Sequence, residues 1–471
     1  MEKKTLDLGK DRIGSLLFRF SLPCVVAQLI SSLYNIVDQI FIGNSSLGYY
    51  GNAATGVVFP LIVVANAFAW GFGDGVASFL SICQGKKDSS KAAKAVGTGI
   101  VLTIISALLI VLVSFIFANP ILRFCGASDN TIEYAKTYLF IVGSFFPCYM
   151  LIAYLDSAIR ADGSPTYAMI ATAVGAIANM ILDPIFIYVF NWGMEGAAWA
   201  TVIGQLISIC FIFAYFLRTK TFKLGIKDLI PDLKTFKEPL LLGISSFITE
   251  ISIAIINLVA NAVVVRYGNL SKYGQDIPIS ATSIETKVFT LVLNVVVGIV
   301  LGAQPIIGYN KGAGNIERIR KTYKIILLWS LGIGVVATLL FELYPEGIIM
   351  IFGGSDDALY MEYAKLVFRL FLATTILTCF IKMSSIFFQS CGEPLKATIS
   401  SLVRDLLFFI PAVLILPFIA ENNEAGTGII ALLFAPMIAD VLAFFIALVL
   451  TIRLFKKLKH YEKSLNQIEI Q

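Results

Sequence analysis

Apolar residues run along this chain in long blocks, and polar residues collect in the short gaps between them. Twelve blocks stand out, at approximately 14–42, 52–82, 93–118, 132–159, 166–190, 195–217, 238–266, 281–309, 322–343, 360–389, 396–420 and 428–453. Each reaches the ~20 predominantly apolar residues that a spanning helix needs. The first twelve residues are polar, and the first block is too long for the apolar core of a cleaved signal, so it reads as a span. The pattern predicts an all-α polytopic membrane protein. At 58% hydrophobic and 14% charged, against roughly 25% charged in soluble domains, the composition agrees.

The blocks also repeat. Phe124-Cys125-Gly126-Ala127-Ser128-Asp129 with Glu133-Tyr134-Ala135-Lys136 is echoed by Phe352-Gly353-Gly354-Ser355-Asp356 with Glu362-Tyr363-Ala364-Lys365. Gly163-Ser164-Pro165 answers Gly392-Glu393-Pro394, and Gly85-Lys86-Lys87-Asp88 answers Gly312-Ala313-Gly314-Asn315. Six spans per half is an even number, so both halves enter the membrane the same way, related by a pseudo-two-fold axis along the membrane normal. Two lobes follow, 1–220 and 238–471, with a cytoplasmic linker at 221–237 rich in Lys and Asp. Duplicated membrane halves are the build of secondary transporters.

Charge sets the orientation. If both termini are cytoplasmic, 27 of the 36 Lys and Arg fall on inner loops and tails, Lys3, Lys4 and Arg160 among them. Only Arg123, Arg266 and Lys272 fall outside, an N-in, C-in pattern. These bases are scattered over short loops, which argues against a nucleic-acid partner, and the net charge of +5 needs none. The seven cysteines lie mostly in or beside apolar spans without paired spacing, as small fillers do. One histidine, His460 in the basic tail, excludes histidine proton relays and most zinc chemistry.

An acid inside a spanning helix is costly and is a functional candidate. The candidates are Asp38, Asp74, Asp156, Asp183, Glu250, Glu285, Asp405 and Asp440. Helical rise puts Asp38 roughly 6 Å, Thr201 about 9 Å and Asp183 roughly 10 Å from the outer end of their spans. Asn179 lies one turn below Asp183 on the same face, and Pro184 deprives the Met180 carbonyl of its helical partner. Such an oxygen-rich set suits a hard cation, or a proton shared between carboxylates that cannot both ionise cheaply. The second half is a control: Phe408, Ala412 and Leu433 stand where Asn179, Asp183 and Thr201 stand in the first, so the scaffold does not need the oxygens. The plainer alternative has Asp183 capping a kink at Pro184 and Asp38 facing an outer vestibule. Gly196-Ala197-Ala198 allows the sixth span a close approach to its neighbours.

Glu250, about 18 Å into the seventh span, is a candidate substrate or second-lobe cation group. Asp74 is a second, although Gly71, Gly73 and Gly75 around it would also leave room for water. Glu285 and Lys287 sit near an outer mouth, two residues apart and so not facing each other, and are expected to be solvated. Arg404 and Asp405 are expected to make structural pairs between helices.

The words around these residues resemble one family. Pro23 and Tyr34-Asn35-Ile36-Val37-Asp38-Gln39-Ile40-Phe41-Ile42-Gly43 are similar to the first span of multidrug and toxic compound extrusion (MATE) transporters. So are Asn179-Met180-Ile181-Leu182-Asp183-Pro184-Ile185-Phe186 and Gly193-Met194-Glu195-Gly196-Ala197-Ala198-Trp199-Ala200-Thr201. The resemblance implies a V-shaped pair of six-helix lobes in the cytoplasmic membrane. It implies export of cationic drugs or dyes by alternating access in exchange for Na+ or H+, without catalysis or cofactor and as a monomer. It assigns the cation site to Asp38, Asn179, Asp183 and Thr201, and a bending point to Pro23. Glu250 matches an acid of the NorM-like branch. That branch also has an acid in the tenth span, where this chain offers Lys382, a departure pointing to the MepA-like and DinF-like side. Two other classes make different demands. A flippase for lipid-linked sugars needs a cavity rich in Arg and Lys, for which Lys382 and Arg404 are the midplane candidates, and an intramembrane enzyme lacks a recognisable catalytic motif.

Overall fold

The computed structural model describes residues 7–45, 47–274, 276–351 and 358–468; the repeat word Phe352–Asp356 and Lys3 and Lys4 lie outside the described residues. The chain is all-α, with no strand among the described residues. In the first half, α1 (Ile13–Gly43), α2 (Gly48–Gly85) and α3 (Ser89–Ile116) are followed by a short α4 (Ala118–Phe124). Then come α5 (Ile132–Ser144), α6 (Phe146–Ala161), α7 (Pro165–Pro184) and α8 (Gly193–Phe216). The second half repeats the plan with α9 (Leu233–Leu270), α10 (Asp276–Gly312), α11 (Ile316–Leu343) and a short α12 (Pro345–Ile351). It closes with α13 (Ala358–Leu366), α14 (Thr375–Ser390), α15 (Pro394–Leu402), α16 (Ile410–Asn423), α17 (Gly428–Leu432) and α18 (Ala435–Ile468).

Among the described residues, ten elements are long and apolar enough to span, and two bent pairs bring the number to twelve. Blocks 132–159 and 360–389, expected as single helices, are each broken: α5 meets α6 at 54°, and the turn after α13 meets α14 at 47°. Pro147, at the start of α6, supplies no N–H to continue α5. The second break follows a π turn at Val367–Phe371. Further π segments continue α7 (Ile185–Val189, directly after Pro184) and α15 (Val403–Phe409), at different places in the two repeats. Residues 233–237 of the expected linker form the first turn of α9, capped by the Asp232 carboxylate, which accepts from the Lys234 and Thr235 N–H groups.

The two halves lock together at the face that carries the start of α1 and the end of α18, here the terminal face. Ile13, Leu16, Leu17 and Phe20 of α1 are buried in the core of the second half, while Phe236 and Leu242 of α9 are buried in that of the first. Glycines make this contact close. A methyl group on Gly243 would overlap the Gly71 carbonyl, and one on Gly75 would overlap that of Pro239. The glycines around Asp74 therefore serve helix packing, Gly71 and Gly75 against α9 and Gly73 against Tyr154 and Ser157 of α6, correcting the expectation of room for water. On α10, Gly302 lies against Ser21 and Gly298 against Val25. Higher up, the Asn294 amide donates to Ser32 Oγ at 2.6 Å and Phe68 meets Phe247 edge to face.

Candidate functional site

Above that junction lies a cavity of about 1160 Å³, walled by α1, α2, α5, α6, α7 and α8 of the first half and by α10 of the second. Its upper rim includes Gly43 and Asn44 at the end of α1, and its floor reaches Arg160 and Pro165. The cavity thus extends from the junction toward the far end of α1.

Asp38, Asn179 and Thr201 line this cavity, and Asp183 stands directly behind them, fully buried. The Asp38 and Asp183 carboxyls are within hydrogen-bonding reach of each other. Asn179 Nδ2 donates to Asp183 Oδ1 at 3.3 Å and lies 3.5 Å from Thr201 Oγ1. The Thr201 hydroxyl donates to the Ala197 carbonyl at 3.0 Å, leaving its lone pairs toward the cluster. Close packing makes this convergence feasible: Gly204 of α8 lies against Gly175 and Asn179 of α7, and Ala197 and Ala198 are fully buried.

Three oxygens of this cluster are buried without a hydrogen-bond partner: Asp38 Oδ1, Asp183 Oδ2 and Asn179 Oδ1. Buried polar atoms are nearly always satisfied, and two adjacent carboxylates repel unless a positive charge lies between them. The donor set therefore fits a hard monovalent cation or a shared proton. Sequence reasoning missed the supporting polar residues. Gln39 Nε2 lies 3.5 Å from Asp38 Oδ2 and 3.3 Å from Thr55 Oγ1, and the Tyr138 hydroxyl reaches Thr201. Gln39 was visible as the neighbour of Asp38; Tyr138 carried no signal.

The remaining acids lie elsewhere. Asp74 does not line the cavity. It is buried and accepts from Ser157 Oγ at 3.2 Å and from Arg160 Nη2 at 3.4 Å. Across the halves it accepts from Ser246 Oγ at 2.9 Å, and Gln389 Nε2 donates to the same Ser246 at 3.1 Å. Nearby, Gln304 Nε2 donates to Ser78 Oγ at 2.8 Å. Arg160, read as an inner-loop charge, is instead 5% exposed and paired with Asp156 as well; the i,i+4 spacing Asp156–Arg160 was the available signal. Glu250 is half-buried on α9, with Lys382 and Asp74 as its charged neighbours, apart from the Asp38 cluster. Glu285, expected to be solvated, is 2% exposed, with Oε1 unpartnered, because its face of α10 turns into the second half while Lys287 faces the cavity.

Arg404 and Asp405 do pair, in a wider network. Arg404 donates to Asp405 and to Asp440 at 2.9 Å each, and Lys382 lies 3.5 Å from Asp405. Thr374 and Thr378, on either side of the start of α14, both donate to Asp440 at 2.7 Å. Lys382 and Arg404 are thereby held off the cavity wall. Pro23 is buried inside α1, which runs through it without a break.

Many apolar spans, two repeated halves sealed at one face and a large cavity carrying a buried acidic cluster define a multi-pass membrane transporter. The chain belongs to the MatE family, whose family model matches residues 23–185 and 245–414. It is 26% identical over 455 residues to the multidrug export protein MepA of Staphylococcus haemolyticus (strain JCSC1435), covering 96% of each chain. Two crystal structures share its fold. MATE in complex with MaL6 is 22% identical with a TM-score of 0.86, covering 98% of this chain and 100% of that one. MATE in the bent conformation is 21% identical with a TM-score of 0.87, covering 97% and 98%.

Proposed function

We propose that this chain is a secondary active efflux transporter. It exports amphiphilic organic cations, drugs or dyes, across the cytoplasmic membrane in exchange for Na+ or H+. With both termini cytoplasmic, the cavity opens outward. The observation that carries the reading is the Asp38–Asp183 pair at the cavity wall, where Asp38, Asp183 and Asn179 hold three orphaned oxygens. The name of the MepA relative, a multidrug export protein, supports the export direction and the breadth of substrates.

In this scheme the external cation or proton enters the open cavity and settles between Asp38, Asp183 and Asn179, with Thr201 as a further oxygen. It removes the repulsion between the carboxyls. That changes what α1 carries at its outer end, and Pro23, which interrupts the helical ladder below, lets α1 respond by bending. The chain's own residues thus couple occupancy to the position of the α1 wall. The unlocked halves close outside and open at the terminal face, where the ion leaves and the substrate enters. The test is dye efflux from proteoliposomes under an imposed Na+ gradient or an imposed pH gradient. Efflux driven by one of them supports the reading; none under either would overturn it.

A further inference from the structure

The cavity wall holds four charged residues: Asp38, Asp156, Arg160 and Lys287. Asp156 and Arg160 pair with each other at its floor. Asp38 faces Asp183 and belongs to the coupling cluster. Lys287 is different: its side chain stands exposed on the α10 wall and is engaged in none of the ion pairs or hydrogen bonds of the described residues.

The helix register says what Lys287 faces. α1 and α10 pack antiparallel, with Ser21 opposite Gly302, Val25 opposite Gly298 and Ser32 bonded to Asn294. Both helices also line the cavity. Continuing upward, Asp38 is six residues above Ser32 and Lys287 seven above Asn294, about 9 and 10 Å at 1.5 Å per residue. The two charges therefore stand at one height, one on the α1 wall and one on the α10 wall. Each tops a polar stripe at helical spacing: Ser31, Asn35 and Asp38 on α1, and Asn294, Thr290 and Lys287 on α10, all lining the cavity.

We infer that Lys287, with the Thr290 hydroxyl one turn below, is an anion-recognising subsite that makes the cavity prefer amphiphiles carrying a carboxylate as well as a cation. Such a zwitterion lays its cationic part toward the Asp38 wall and its carboxylate on Lys287. A simple monocation of the same shape meets uncompensated repulsion from the ammonium. The inference rests on the efflux reading above for the identity of the site, and refines its substrate class.

Rhodamine 19 and rhodamine 6G test it, because they share a cationic ring system and differ as free carboxylate and ethyl ester. Binding to the full chain in detergent is followed by fluorescence anisotropy at neutral pH. The wild type is expected to bind rhodamine 19 the more tightly, and Lys287→Ala to weaken rhodamine 19 about tenfold, the worth of a charged hydrogen bond, without weakening rhodamine 6G. Lys287→Arg should keep the preference. Equal binding of both dyes by the wild type, or an equal change for both in Lys287→Ala, would overturn the subsite. Failure of the wild type to export either dye from proteoliposomes would count against the efflux reading and leave the binding contrast to decide on Lys287.

Discussion

Replacing Ser246 by alanine should loosen the seal between the halves without touching the coupling cluster. Ser246 Oγ donates across the interface to Asp74 Oδ2 at 2.9 Å and accepts from Gln389. Asp74 is buried, so in the far-side-open state the variant leaves one carboxylate oxygen without that donor. A hydrogen bond to a charged group contributes about 1.5–3 kcal/mol. Once the halves part, water satisfies both groups, so the loss falls on the sealed state alone. The ratio of sealed to unsealed molecules should drop by roughly 10- to 150-fold, at 1.4 kcal/mol per factor of ten. The assay is double electron–electron resonance between spin labels at the far ends of α3 and α11, in a chain whose native cysteines are replaced. The wild type should give mainly the long distance and Ser246→Ala a second, shorter population; Ser246→Thr, which keeps the hydroxyl, should resemble the wild type. An unchanged distance distribution in Ser246→Ala would refute the latch.

Pro23→Ala restores a backbone donor to α1, and should retain dye binding while slowing turnover and blunting the response to the driving ion; unchanged turnover in proteoliposomes would leave Pro23 a static feature of the helix. Arg160→Met leaves Asp74 and Asp156 unpaired in the interior, and breaking a buried pair in this way costs about 3–5 kcal/mol. Its unfolding temperature in detergent should fall clearly, whereas an unaltered value would mean that the carboxyls find other partners.

The spans were legible because the bilayer demands long apolar runs, and the repeat because its Gly-Pro turns recur. The breaks at 145 and 372–374 were not: both sit inside continuous apolar blocks, and bending is decided by packing. Within the site, equal depth from the helical rise brought Asp38, Asn179, Asp183 and Thr201 together as candidates, and the fold places them in one cluster. Arg160 was misplaced because a base at the end of an apolar block looks like a flanking charge, yet α6 carries it back against Asp74 and Asp156. Glu285 reads as solvated because its apolar block starts at 281, whereas α10 begins at Asp276 and buries that face. The glycines around Asp74 illustrate the same limit. Sequence shows small residues, and only the partner helices α9 and α6 show that they fill the space.

The central claim is that the Asp38–Asp183 pair couples an ion gradient to export. Its most direct test is rhodamine 6G efflux from proteoliposomes holding the wild type, Asp38→Asn or Asp183→Asn, driven in turn by a Na+ gradient and by a pH gradient. The wild type is expected to respond to one gradient, and each variant, though folded and able to bind dye, to lose gradient-driven efflux. Gradient-driven efflux at the wild-type rate in either variant would contradict it.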